Sequence, residues 1–89
     1  MPIERTRLPT SVVAELRHAS LNAQLELKRK HACIVTRRAL YDIGEQILHQ
    51  QYAFSGGRFP ETPADLLALY DLLHRSMIKK IMDNHRHNT

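Results

Sequence analysis

Apolar residues recur along this chain at helical spacing almost throughout. Val12, Leu16, Ala19, Ala23 and Leu27 fall at steps of three and four, as one face of an amphipathic helix does. Leu21 and Leu25 start a second stripe on another face. From His31 onward the pattern becomes two-sided. Ile34, Tyr41, Leu48 and Tyr52 form one stripe, and Ala32, Ala39, Ile43 and Ile47 form another, with Leu40 and Phe54 at its edge. A surface helix needs only one apolar stripe, so two of them predict a helix wedged between two layers.

No Gly, Pro, Asn or Asp lies between Gln24 and Thr36, and the apolar phase runs on by sevens from Leu27 to Ile34 to Tyr41. The pattern therefore predicts one long helix over residues 10–54, started by Thr10 or Ser11 as a cap. The competing arrangement is two helices with a kink or short turn near 28–32, which the β-branched run after Cys33 favours. Gly56, Gly57 and Pro60 mark the following turn. A second helix opens with Thr62 as N-cap, Pro63 as first helical residue and Asp65 three after the cap. Its apolar face is Leu66, Leu69, Tyr70, Leu73, Met77, Ile81 and Met82, widened by Leu67 and Ile78.

The expected fold is all-α, a long helix and a shorter C-terminal helix in an antiparallel hairpin. Residues 1–9 form an extended or disordered arm, 10–84 the helical domain and 85–89 a disordered tail. Helices of such unequal length, about 66 Å and about 33 Å at the usual rise, leave the apolar stripes of the N-terminal half without a partner. Either the first helix bends into a three-helix bundle or two chains pair. A homodimer closing into a helical bundle is the expected outcome.

Length and charge sharpen this picture. With 89 residues the chain is one small domain whose core is thin without a partner, a metal or a disulfide. The one cysteine, Cys33, excludes an intrachain disulfide. With no apolar leader in MPIERTRLPT and no spanning stretch, a cytosolic protein without membrane contact is expected. Lysine and arginine number 13 against 9 acidic residues, a formal charge of +4, which favours an acidic partner.

Candidate chemistry is sparse. Asp83, His85 and His87 match no metal-ligand spacing, and His18, His31, His49 and His74 are scattered. His31 and Cys33 point apart on a helix. Asp42, Glu45, Asp65 and Asp71 form no acid–base pair, and the glycine pair lacks the lysine of a phosphate loop. No enzyme activity, cofactor or metal is expected. A small regulator or adaptor that binds another protein through apolar helix faces fits best, with Leu16, Leu21, Leu25, Ile43 and Ile47 as contact residues.

The alternative is a DNA-binding transcriptional regulator. Lys28, Arg29, Lys30, Arg37 and Arg38 form a basic belt suited to phosphates. Arg5 and Arg7 alternate along an extended stretch, and Leu8-Pro9 leads into a helix. This opening, over residues 4–16, resembles that of ribbon-helix-helix repressors. The resemblance implies a strand from each chain of a dimer entering the major groove. The chain departs from that pattern where the family has apolar inward strand positions, here Glu4 and Thr6, and a Gly- or Asn-containing turn before the second helix.

Overall fold

The computed structural model describes residues 8–54 and 58–87. Three helices follow one another: α1 Thr10–His31, α2 Arg37–Phe54 and α3 Pro63–His87. They pack as a three-helix bundle in which every helix touches the other two. The all-α expectation holds, but the helical hairpin does not. The long helix over 10–54 is interrupted at 32–36, and its two halves fold onto each other.

The interruption has local causes that need neither glycine nor proline. Ala32 takes the left-handed conformation, with φ 49° and ψ 34°, and its N–H turns back to the Leu27 carbonyl. The Cys33 N–H donates to the same carbonyl at 2.9 Å. That is the closure glycine usually makes at a helix end, and crowding at the alanine Cβ costs about 1–2 kcal/mol. Ile34, Val35 and Thr36 are β-branched and lose side-chain freedom in a helix. Gln24, from within α1, donates its Nε2–H to the Val35 carbonyl at 2.9 Å, which gives the connector a backbone partner. Thr36 Oγ1 then accepts the Ala39 N–H at 3.1 Å and caps α2.

The other helix ends are mixed against expectation. At α1, Pro9 stands at the N-cap without a side-chain hydrogen bond, so neither Thr10 nor Ser11 caps the helix. At α3, Thr62 Oγ1 accepts the Asp65 N–H at 3.2 Å, as its sequence predicts. This helix runs to His87. Residues 1–7 of the expected 1–9 arm, and the glycine turn at 56 and 57, lie outside the described residues.

One core serves the whole bundle. Val12, Leu16, Ala19, Ala23 and Leu27 of α1 meet Leu40 and Leu48 of α2 and Leu69, Leu73 and Met77 of α3. Each buried leucine contributes roughly 2 kcal/mol of burial. The two stripes foreseen for residues 31–54 become one wide face. Because α2 starts at Arg37, Ile34 falls off the helix and is 85 % exposed. Ala32 and Ala39 are exposed too, while Tyr41, Ile43, Ile47 and Tyr52 lie half-buried against the core. Gly44 lets α2 reach both neighbours: a Cβ there would collide with Leu16 and stand 2.7 Å from Met77 Cε.

Chain direction follows from the lateral contacts. Gln24 meets Val35 and Leu16 meets Gly44, so α2 runs back along α1. Asn22 bonds Tyr70 and Glu26 pairs with His74, one turn further on both helices, so α3 runs alongside α1 in the same sense. The helices have 22, 18 and 25 residues, about 33, 27 and 38 Å. Near-equal lengths remove the mismatch that called for a second chain.

Candidate functional site

The last turn of α1 carries Lys28, Arg29, Lys30 and His31, a favourable set beside the carbonyl end of a helix dipole. The first turn of α2 carries Arg37 and Arg38 and no acidic residue. A connector of five residues, 32–36, joins the two turns and holds them at one end of the bundle. The final turns of α3 arrive at the same end: His31 and Glu26 share a surface hollow with Lys79, Met82, Asp83 and Arg86. The belt read from the sequence therefore becomes a basic end, built from three helix termini.

Carboxylates neutralise only part of it. Lys30 reaches Glu26 at 3.9 Å and Arg38 reaches Asp42 at 3.4 Å, both along single helices. Among the described residues, Lys28, Arg29 and Arg37 have no ion-pair partner, and neither has Arg17. The opposite end is of different character. There Pro9, Ser11, Arg58, Phe59, Pro60, Glu61, Thr62 and Asp65 border a hollow with mixed charge.

A polar seam joins α1 to α3 beside the basic end. The Asn22 side-chain amide donates to the Tyr70 hydroxyl at 2.5 Å. The Tyr70 ring stacks on His74 with centroids 5.8 Å apart, and His74 Nε2 lies 3.8 Å from Glu26 Oε1. These contacts tie α1 to α3, which is a packing role.

The apolar contact residues expected from the sequence are dispersed. Leu16 is fully buried in the chain's own core, and Ile43 and Ile47 are half-buried against it. Leu21 and Leu25 remain on the outside of α1, 38 % and 41 % exposed. Arg5 and Arg7 lie outside the described residues. Two residues escaped the sequence reading. Arg17 stands alone on α1, and Tyr41 was absorbed into an apolar stripe, yet both line a depression with Arg37 and Arg38. Only the fold brings them together.

Among the described residues, no three His, Cys, Asp or Glu side chains gather where a metal ion could bind. Among them, too, no helix is long and apolar enough to cross a membrane. Comparison of the chain with known protein families, with curated proteins and with solved structures gives no match.

Proposed function

We propose that this small helical domain is a non-catalytic regulator whose basic end docks on the phosphate backbone of duplex DNA. The observation that carries the reading is the convergence of Lys28, Arg29 and Lys30 with Arg37 and Arg38 at one end, several of them without carboxylate partners among the described residues. Such a surface attracts a polyanion from a distance and gains further when bound counter-ions leave the phosphates. The opposite end, where Glu61 and Asp65 offset Arg58, offers no such attraction.

Binding of a protein partner through apolar helix faces keeps one supporting observation, the exposure of Leu21 and Leu25 on α1. It loses Leu16 to the core. Leu21 and Leu25, with Ile34 and Leu67 on other elements, are a scatter ordinary for a protein surface, so DNA is the better-supported partner.

The test is a salt titration of binding to a mixed-sequence duplex. Affinity falls linearly with salt on logarithmic axes if phosphate contacts dominate. Replacing Lys28, Arg29 and Lys30 with glutamine weakens binding to all sequences alike and flattens that slope. Salt-insensitive binding to a protein bait that is lost in Leu21→Ser with Leu25→Ser would favour the second reading instead.

A further inference from the structure

A shallow depression opens between α1 and α2. Arg17 and Ser20 border it from the first helix, and Arg37, Arg38 and Tyr41 from the second. Register places them there. Arg17 follows the fully buried Leu16, so it flanks the core stripe of α1 on the side where α2 lies. Arg37 and Arg38 open α2, and Tyr41 comes one turn later with its ring half-buried against the core. Ser20 is turned inward. Its hydroxyl donates to the Leu16 carbonyl at 2.8 Å, which leaves the charged groups to define the rim.

Three arginines from two helices thus border one hollow. Arg38 has Asp42 at 3.4 Å, but both side chains are largely in water, and such a pair exchanges readily for another anion. Arg17 and Arg37 have no carboxylate partner among the described residues. Arg37 and Arg38 also stand at the positive end of the α2 dipole, where cations are disfavoured. An anion in the hollow relieves all of these repulsions together. Guanidinium forks match the oxygens of a phosphate, and Tyr41, which borders the same hollow, carries a hydroxyl able to donate as a neutral group.

We propose that this depression seats one backbone phosphate of bound DNA and so fixes the register in which the basic end meets the neighbouring phosphates. The inference rests on the nucleic-acid reading above. A polymer suits the site better than a small phosphorylated metabolite. The hollow is bordered by two helices only, and Lys28 and Arg29 lie further along α1 for the next charges of a chain.

The test is fluorescence anisotropy with a short labelled DNA duplex across a range of potassium chloride concentrations. The proteins are the wild type, Arg17→Gln, Tyr41→Phe and, as control, Arg58→Gln. The control removes the same charge at the far end of the bundle. Losing one phosphate contact lowers affinity about eightfold at about 0.1 M salt and reduces the salt slope by about 0.9. That is the result expected for Arg17→Gln. Tyr41→Phe weakens binding with the slope unchanged, because no charge is lost. Arg58→Gln, at a different hollow, stays within about twofold of wild type and keeps the wild-type salt slope. A wild-type protein that fails to bind the duplex overturns the nucleic-acid reading itself. A wild type that binds, with Arg17→Gln indistinguishable from Arg58→Gln, overturns the phosphate seat alone. Arg17 is exposed, so its replacement leaves the thermal melt in place and the comparison holds.

Discussion

The Cδ1 methyl of Leu16 occupies the space in which a side chain at Gly44 would begin. One helix has a methyl group where the other has only hydrogen, and Met77 of α3 closes the same point from the third side. Gly44→Ala therefore sets two effects against each other. Alanine gains about 1 kcal/mol of helix propensity, whereas overpacking a filled core costs about 1–3 kcal/mol. Met77 is flexible enough to swing aside, but Leu16 is completely enclosed. The expected balance is a loss of about 1 kcal/mol, seen as a lower urea midpoint at unchanged m-value. In a double-mutant cycle, Leu16→Ala with Gly44→Ala should cost less than the two single changes added, since the new methyl enters the vacated space. A Gly44→Ala protein more stable than wild type would show that the three helices do not converge there.

Two neighbouring positions test the bend with opposite signs. Ala32 holds a left-handed conformation. Ala32→Gly relieves that crowding and, after the greater freedom of the unfolded chain is counted, gains about 0.5 kcal/mol. Thr36→Ala removes the cap of α2 and costs about 1 kcal/mol. Chemical denaturation reads both. A straight helix through residues 32–36 would reverse the first result, because a glycine in a helix interior costs about 0.5–1 kcal/mol relative to alanine.

That bend is also where the sequence was hardest to read. Turn prediction looks for Gly, Pro, Asn or Asp, and none is present. The turn is made instead by an alanine that carries no signal and by Gln24, whose bond to Val35 spans eleven residues. Thr36 and the β-branched run before it were visible, but their apolar phase matched an uninterrupted helix. By contrast, the core stripe of α1 was legible in full, since Val12, Leu16, Ala19, Ala23 and Leu27 are all buried. The start of α3 was equally plain, because Thr62, Pro63 and Asp65 specify it locally. The candidate site shares both fates. Lys28 to Lys30, Arg37 and Arg38 announce themselves as charge, whereas Arg17 and Tyr41 join them only once α2 folds back on α1.

Assembly follows from the same geometry. Three helices of similar length enclose their core within one chain, and the exposed apolar residues that remain are few: Leu21 and Leu25 on one face of α1, Ile34 in the connector and Leu67 on α3. Sedimentation at micromolar concentration should give a fully helical monomer of 10.3 kDa. A stable particle of twice that mass, dissociated by Leu25→Asp, would restore the paired arrangement.

Alkaline pH should weaken the bundle through Tyr52. Its ring packs on Phe59, with centroids 5.0 Å apart and planes tilted by 32°. Burial first, and the negative charge of Asp65 second, raise the phenol above its ordinary value of 10.0. The folded chain thus holds this proton more tightly than the unfolded chain does. Below pH 10 both states keep it, and Tyr52 makes no difference to the pH dependence. As the pH climbs past 10, the unfolded chain releases its proton first and stability falls, until the folded-state value is also passed. Every group other than Tyr52 is common to wild type and Tyr52→Phe, so the comparison isolates the phenol. Urea stability measured from about pH 9 to about pH 11 should decline more steeply for wild type than for Tyr52→Phe. Asp65→Asn should fall between them, because it removes the charge and leaves the burial. Identical slopes for wild type and Tyr52→Phe would mean that the hydroxyl is fully solvated, and the close of α2 against the start of α3 would be looser than the Tyr52–Phe59 contact requires.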